Sequence, residues 1–207
     1  MVQCLREQGV RHVGLLDAFQ TVPRHQFIES ALATQAYEDT SLPIGHAQTI
    51  SKPSVIARMI ELLLEGAAAR ARGNLGKTLE IGTGCGYQCA LLAALSPSVV
   101  SIERVRALFD RARDNLHGLR MDRVRLVYGD GTGGHAPNAP YQSIIAAAVG
   151  NDVPTAWLEQ LDVGGRLVAP IETAAGQMLA VVDREPSGYK RSDHERVCFV
   201  PLKSGLD

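Results

Sequence analysis

The sequence has few cysteines, no excess of charge of either sign and no long hydrophobic run. Its four cysteines, irregularly spaced in 207 residues, are too few for a disulfide framework. The 21 lysines and arginines are matched by 22 aspartates and glutamates, so no basic excess is available to bind a nucleic-acid backbone. No apolar run approaches the roughly eighteen residues of a membrane span, and the N-terminal MVQCLREQGVRH has no apolar block. We therefore expect a cytoplasmic protein without a signal peptide, a membrane partner or a nucleic-acid partner.

One local concentration of positive charge lies between residues 104 and 125. Acidic side chains are interleaved with its arginines, which is typical of a solvated helix face. The arginines are Arg104, Arg106, Arg111, Arg113, Arg120, Arg123 and Arg125.

Apolar positions in the first third of the chain repeat at helical spacing. The stripe breaks at Val22-Pro23, because the residue before a proline is disfavoured in helical conformation. Residues 25–34 allow a second short helix, and residues 52–65 predict a strongly amphipathic one. Residues 37–51 are interpreted as a polar loop.

After residues 66–76, interpreted as a flexible connector or a frayed helix end, short apolar runs alternate with helical segments. This alternation is typical of a parallel sheet covered on both faces. The last two runs have no helix between them, so we expect an antiparallel pair at the sheet edge. The predicted strands are residues 77–82, 99–103, 124–130, 143–149, 165–171, 178–183 and 196–202, and the predicted helices are residues 87–95, 104–119 and 154–161.

The prediction is thus an α/β fold with a mostly parallel, doubly wound sheet, an antiparallel edge and a helical N-terminal extension. A chain of 207 residues with 45% hydrophobic and 21% charged residues suits one globular domain. Within it, residues 1–65 form the helical part and residues 77–207 the α/β core.

A glycine-rich turn, LEIGTGCGY at residues 79–87, follows the first strand and opens a helix. Ligands bind at such turns, and the helix N-terminus offers free N–H groups. A dinucleotide fingerprint needs a small residue at the sixth position from Gly82, where Tyr87 stands, which argues against a nicotinamide-dependent oxidoreductase. Alternate glycines preceded by Glu80 instead resemble the first motif of the S-adenosylmethionine-dependent methyltransferases, in which the acid and the loop backbone hold the methionine end of the cofactor. The glycines are Gly82, Gly84 and Gly86.

Two further acids stand at the ends of the next two predicted strands. Glu103 comes 103 − 82 = 21 positions after Gly82, where a carboxylate can accept ribose hydroxyls in either cofactor class. Asp130, followed by Gly131, can accept an adenine amino group. Each acid alone could simply face solvent, but three acids at successive strand ends beside one glycine turn predict a nucleotide-cofactor site.

Eight stretches of the chain resemble the protein-L-isoaspartate (D-aspartate) O-methyltransferase family, in the family's order and over nearly the whole length. The AYED and QTIS segments are more specific than the glycine turn. The resemblance implies a Rossmann-like S-adenosylmethionine-dependent methyltransferase fold. The stretches are VPRHQFI (22–28), AYED (36–39), LPIGHAQTISKP (42–53), LEIGTGCGYQ (79–88), SIE (101–103), GDG (129–131), VGGRLVAP (163–170) and FVPL (199–202).

The resemblance also implies a protein-repair reaction carried out by a monomer. A methyl group moves from S-adenosyl-L-methionine, which leaves S-adenosyl-L-homocysteine, to the free carboxylate of L-isoaspartyl residues in damaged proteins and peptides. Ser51 is implied as the catalytic and substrate-positioning residue, Tyr37 and Asp39 as substrate-binding walls of the peptide channel, and no metal is implied. The cofactor-binding residues implied are Thr49, Glu80, Gly82, Gly84, Cys85, Gly86, Glu103, Asp130 and Gly131.

Three alternatives remain open from the sequence. Ser51 stands where the N-cap of the 52–65 helix is expected, and a cap uses the same helix N–H groups as a bound carboxylate. Cys85 replaces the family's usual serine at a helix start, which predicts a thiol of lowered pKa. The activity itself has two rivals: a methyltransferase for another small-molecule or protein acceptor, and a non-enzymatic module that binds the cofactor. Loss of the QTIS loop would mark the module, but the loop is present.

Overall fold

The computed structural model describes residues 1–119 and 121–207, and its strands and helices follow the predicted alternation. The strands are β1 (Leu42–Gly45), β2 (Gln48–Ile50), β3 (Lys77–Ile81), β4 (Ser98–Glu103), β5 (Val124–Tyr128), β6 (Tyr141–Ala146), β7 (Leu161–Thr173), β8 (Gly176–Glu185) and β9 (Gly188–Arg196). The helices are α1 (Val2–Glu7), α2 (Val13–Thr21), α3 (Pro53–Leu64), α4 (Ala67–Arg72), α5 (Tyr87–Leu95), α6 (Arg106–His117) and α7 (Thr155–Gln160). Among the described residues, no helix is both long and apolar enough to cross a membrane.

Seven strands form one sheet in the order β5-β4-β3-β6-β7-β8-β9. The pairs from β5 through to β7 are parallel, while β7–β8 and β8–β9 are antiparallel. The predicted fold class is therefore confirmed. The chain passes from β3 to β4 on one side and later places β6 on the other. This order creates a switch point at the carboxyl ends of β3 and β6, where open α/β sheets bind ligands.

Helices cover both faces of the sheet, and the N-terminal helices belong to one of these layers. Ile144 and Ile145 are both fully buried, and they pack into different apolar clusters because successive strand residues point to opposite faces. The cluster on the Ile145 side includes residues of α2, α3 and α5. Phe19 of α2 meets Tyr87 of α5 edge-to-face, with ring centroids 6.3 Å apart. Residues 1–65 and the sheet thus share one core.

Residues 24–51 differ from the predicted helix and loop. The segment predicted as a short helix forms two 3-10 turns, Arg24–Phe27 and Ser30–Gln35. Arg24 and Phe27 are both fully buried, and a spacing of three residues suits the 3-10 period better than the α period. The predicted loop contains the antiparallel hairpin β1–β2. His46 and Ala47, between its strands, both have positive φ, as a tight two-residue hairpin turn requires.

The predicted connector contains a helix. α4 fills residues 67–72 and ends at Gly73, which adopts the left-handed conformation common at helix ends. Its run of alanines and arginines has high helix propensity, which outweighs the flexibility predicted from the flanking glycines.

The predicted last strand is wrong. β9 occupies Gly188–Arg196, upstream of the apolar run at 196–202. β9 lies at the sheet edge and is exposed along nearly all its length, so burial does not impose an apolar pattern on it. The apolar run instead crosses the end of the sheet, where Leu202 N–H donates to the carbonyl of Val149 at 2.7 Å.

The arginines predicted to form one solvated face divide into two groups. Arg106 and Arg113 of α6 are exposed and pair with Asp110, at 3.0 and 2.9 Å. Arg104 and Arg111 contradict the prediction, because Arg104 lines the main cavity and Arg111 donates to the hairpin carbonyl of Ile44 at 3.1 Å. Arg120 lies outside the described residues.

Candidate active site

A cavity opens at the switch point, at the carboxyl ends of β3, β4 and β6. Residues 48–51 of the hairpin region form one wall, the glycine turn forms another, and residues 200–203 contribute a third. Ser51 and Gly84 therefore share one cavity although 33 positions separate them in the sequence (84 − 51). Of the predicted site residues, those that line it are Thr49, Ser51, Gly82, Gly84, Cys85, Glu103 and Gly131.

The glycine turn has the backbone conformation that only glycine adopts readily. Gly82, Gly84 and Gly86 all have positive φ, at 88°, 57° and 92°. The conformation at Gly84 directs its N–H to Oε2 of Glu103, 2.8 Å away. Gly86 lies away from the cavity. It packs closely against α6, since a Cβ at this position would stand 3.3 Å from the side chain of Leu116.

Glu103 presents a buried carboxylate to the cavity. Its Oε1 accepts the N–H of Val105 at 2.9 Å, and its Oε2 accepts that of Gly84. Burial raises the pKa of Glu103, and these hydrogen bonds oppose the shift. A carboxylate has about four acceptor positions, so Glu103 retains capacity for the hydroxyls of a sugar.

Glu80 lies beneath the turn, behind the cavity wall. It is completely buried and accepts hydrogen bonds from Gln88 Nε2 at 3.0 Å and Ser101 Oγ at 2.5 Å. Burial raises the pKa of Glu80 to about 7, although both hydrogen bonds favour the ionised form. Gln88 lines the cavity, and so does Thr83, whose hydroxyl lies 2.5 Å from that of Ser101. Glu80 thus meets the cavity through Gln88, Ser101 and Thr83 rather than directly.

Asp130 holds the end of the chain and lies outside the cavity lining. Its Oδ1 accepts the N–H of Thr132 at 2.9 Å, and its Oδ2 accepts that of Gly205 at 2.6 Å. Burial alone would raise the pKa of Asp130, but these hydrogen bonds outweigh it and lower the pKa. The neighbouring Gly131 does line the cavity. The structure therefore brings Gly131, and not the Asp130 side chain, to the predicted adenine end.

The structure contradicts the expectation that Ser51 is the cap of α3. The helix begins at Pro53, and its N-cap residue, Lys52, has no side-chain capping hydrogen bond within the described chain. Asp39 caps the helix from outside, because its Oδ1 accepts the N–H of Ser54 at 2.9 Å. Ser51 is held by its own carbonyl, which accepts Arg24 Nη2 at 2.8 Å.

Asp39 and Tyr37 lie outside the cavity lining, in contrast to their predicted place along the substrate channel. Burial alone would raise the pKa of Asp39, but the hydrogen bonds from Ser54 and Gln8 and the charge of Lys52 lower it. Tyr37 is 43% exposed, and its hydroxyl is 2.6 Å from His25 Nδ1. Tyr37 and Asp39 thus make local contacts, and their role in binding a peptide substrate stays a prediction.

The Cys85 thiol is buried, and its predicted lowered pKa is wrong. Burial raises the pKa of Cys85 by more than the neighbouring backbone N–H groups and the charges of Arg111 and Arg24 lower it. A thiol at a helix start is activated only when it remains solvated or meets a close cation.

Two features of the site were missed from the sequence. One is Arg24 in the VPRHQFI stretch, where an arginine among apolar positions is the signal of a buried charge. The apolar run ending in FVPL was interpreted as a strand, yet Val200, Pro201 and Leu202 line the cavity.

The fold and the cavity define the Rossmann-like methyltransferase class, in which a glycine turn and a strand-end acid face one pocket. The sequence profile of the protein-L-isoaspartate(D-aspartate) O-methyltransferase family matches residues 1–207. A protein-L-isoaspartate O-methyltransferase from Methylibium petroleiphilum is 60% identical over 210 aligned residues, which cover 100% of this chain and 77% of that protein. The chain therefore belongs to the protein-L-isoaspartate (D-aspartate) O-methyltransferase family, as the resemblance implied.

Solved structures agree at the level of the fold. One protein-L-isoaspartate O-methyltransferase superposes with a TM-score of 0.87 at 26% identity and covers 99% of this chain and 65% of its own. A Plasmodium falciparum structure described as a beta-aspartate methyltransferase in complex with S-adenosyl-L-homocysteine gives a TM-score of 0.80 at 23% identity, covering 98% of this chain and 96% of its own.

Proposed function

We propose that the chain transfers a methyl group from S-adenosyl-L-methionine to the free carboxylate of L-isoaspartyl residues in damaged proteins and peptides. The observation that carries the proposal is that Ser51 and the glycine turn line the same cavity. Family membership supports the same activity. A methyltransferase for another acceptor is the less favoured reading, because relatives at this level of identity carry the isoaspartate name.

The residues of the glycine-turn wall suit an S-adenosylmethionine molecule, which supplies a methyl group on a sulfonium when it is bound. Gly82 and Gly84 allow the backbone to approach a ligand closely, and Glu103 has acceptor capacity for ribose hydroxyls. Thr49, Cys85 and Gly131 are proposed to complete this end, and Glu80 supports it from below through Gln88.

The Ser51 wall suits an acceptor that is already anionic. A carboxyl group with a pKa of about 4 is ionised at neutral pH, so its attack needs no general base. The Ser51 hydroxyl is proposed to donate to this carboxylate and fix its direction, while Ile44, Ile50 and Ile56 exclude water from the same wall. Helix N–H groups contribute less than the sequence suggested, because Pro53 has none and that of Ser54 is bound to Asp39.

The same proposal covers the organisation of the chain. Residues 1–65 supply the Ser51 wall and residues 77–207 the cofactor wall, so we treat 1–207 as one methyltransferase unit. A monomer is proposed on the family resemblance. A cytoplasmic location without nucleic-acid partners is supported by the dispersed cysteines and the balanced charge.

The test is to incubate the protein with methyl-labelled S-adenosylmethionine and two peptides that differ only in an isoaspartyl or aspartyl linkage. We expect base-labile methyl ester on the isoaspartyl peptide alone. Equal labelling of both peptides would contradict the substrate assignment. Labelling of neither peptide, with the cofactor bound, would favour a different acceptor.

A further inference from the structure

Arg24 is a completely buried cation behind the Ser51 wall of the cavity. Its Nη2 donates to the carbonyls of Ser51 at 2.8 Å and Thr40 at 3.3 Å. In the part of the chain that the structure describes, its Nε and Nη1 have no hydrogen-bond partner, and no carboxylate forms an ion pair with it. Its guanidinium carbon lies 4.8 Å from the ring centroid of Tyr87, which lines the cavity.

Burial lowers the pKa of Arg24 and the charge of Asp39 opposes this shift, but Asp39 forms no ion pair with Arg24. A buried charge without an ion-pair partner is costly, so its retention calls for a physical reason. A guanidinium remains protonated in proteins despite such a shift. The charge is also poorly screened, because buried charges are little affected by solvent ions. Arg104, the cation on the cofactor wall, differs from Arg24 because Asp207 pairs with it at 3.0 Å. Lys203 also lines the cavity and forms no ion pair among the described residues, but it is exposed to solvent. The buried unpaired charge of Arg24 therefore lies against the Ser51 wall.

We infer that Arg24 is a positioning residue that makes the Ser51 end of the cavity selective for an anionic acceptor group. Its hydrogen bond to the Ser51 carbonyl holds the serine on the cavity wall, and its charge attracts the carboxylate that arrives there. The inference rests on the proposed function, because it assumes that the acceptor is a carboxylate.

The same charge distinguishes substrate from product. Methyl transfer forms a bond from a carboxylate oxygen to the methyl carbon and breaks the sulfur–carbon bond, so the anionic acceptor becomes a neutral ester and the sulfonium becomes a neutral thioether. Arg24 therefore binds the substrate more strongly than the product. Because the acceptor loses charge toward the transition state, loss of Arg24 is expected to raise the KM for the peptide more than it lowers kcat.

The test compares binding of two peptides to the protein saturated with S-adenosyl-L-homocysteine. One peptide carries the isoaspartyl carboxylate, and the other carries a neutral carboxamide in its place. The variants are Arg24→Met, which removes the charge, and Arg24→Lys, which keeps it. Arg111→Met is the matched control. Arg111 also donates to backbone carbonyls of this region, those of Ile44 in the hairpin and Phe27 in the first 3-10 turn, but it is only half-buried.

We expect the wild type to prefer the carboxylate peptide by about tenfold or more, Arg24→Met to lose most of that preference, and Arg24→Lys to keep most of it. Arg111→Met should weaken the binding of both peptides by similar factors. A wild type that binds both peptides equally well would overturn the inference, and this result does not depend on whether Arg24→Met folds. An Arg24→Met variant that kept the preference for the carboxylate peptide would also overturn it. So would a variant that bound both peptides more weakly by the same factor. Failure of the wild type to methylate the isoaspartyl peptide would instead overturn the proposed function.

Discussion

Burial determines the protonation of two side chains around the glycine turn, Glu80 and Cys85. Glu80 belongs to a central strand with apolar layers on both faces, and its pKa rises to about 7 because water cannot reach the carboxylate. The same loss of solvation raises the pKa of Cys85, against the helix N-terminus that was expected to lower it. At this scale the residue types were readable from the sequence, but their solvation was not, because it depends on elements distant along the chain.

Replacement of Glu80 by glutamine is expected to change how stability depends on pH. The pKa of Glu80 is about 7 in the folded state against an ordinary value of 4.5, so the folded state binds the proton more strongly. Its contribution to stability is therefore full below pH 4.5 and is lost as pH rises to 7. The free energy of unfolding of Glu80→Gln, relative to that of the wild type, should therefore increase by about 2–3 kcal/mol as the pH is raised from 5 to 8.

Urea unfolding at both pH values measures this difference. Glu159→Gln, a change at an exposed glutamate of α7, is the control and should follow the wild type. Parallel pH profiles for the wild type and Glu80→Gln would contradict a raised pKa.

Cys85 is expected to resist alkylation in the native protein. Its buried thiol has a raised pKa and little thiolate at neutral pH, whereas Cys198 is exposed. Iodoacetamide at pH 7.5 should modify Cys198 first and reach Cys85 only after denaturation, as followed by peptide mass spectrometry. Cys198→Ser is the control, and it should abolish the early adduct. Rapid native labelling of Cys85 would show that this thiol is activated after all.

At the scale of elements, the join between the hairpin and α3 divides two tasks between two residues. Asp39, fifteen positions before Ser54, accepts the helix N–H that Ser51 was expected to accept. The Ser51 hydroxyl, on the cavity wall, is thereby left for another partner. The sequence could not separate these roles, because a cap supplied from another segment has no signature at the helix start.

A pair of alanine variants separates capping from function. Asp39→Ala should lower the free energy of unfolding by about 1 kcal/mol, the usual value of a helix cap, because the Ser54 N–H loses its acceptor. Ser51→Ala should leave stability within about 0.5 kcal/mol of the wild type, as surface substitutions generally do. Chemical denaturation at pH 7 measures both. A larger loss in Ser51→Ala than in Asp39→Ala would restore Ser51 as the cap.

The buried strands were predictable, whereas the exposed strand β9 and the hairpin β1–β2 were not. β3, β4 and β6 lie under helices on both faces, so their apolar runs located them within a few residues. β9 has no burial to give it a pattern, and the apolar run after it was assigned as a strand in its place. The hairpin β1–β2 was hidden for a similar reason, since only alternate residues of β1 face the core.

At the scale of the whole molecule, the site exists because the N-terminal part and the sheet fold onto one core. The Ser51 wall and the glycine turn come from different parts of the chain, and the cavity lies between them because α2, α3 and α5 share one apolar cluster. The proposed acceptor and cofactor ends are therefore on separate walls, so variants can be made in each wall separately.

The most direct test is the single-turnover rate of methyl transfer to an isoaspartyl peptide in Ser51→Ala, at saturating cofactor. We predict a fall of about 100-fold, the order expected when a reacting group is no longer held in its direction of attack, with the Kd for S-adenosyl-L-homocysteine within about threefold of wild type. Glu103→Ala is the counterpart and should raise that Kd while approaching the wild-type rate at saturation. A Ser51→Ala enzyme that transfers methyl groups at the wild-type rate would contradict the account.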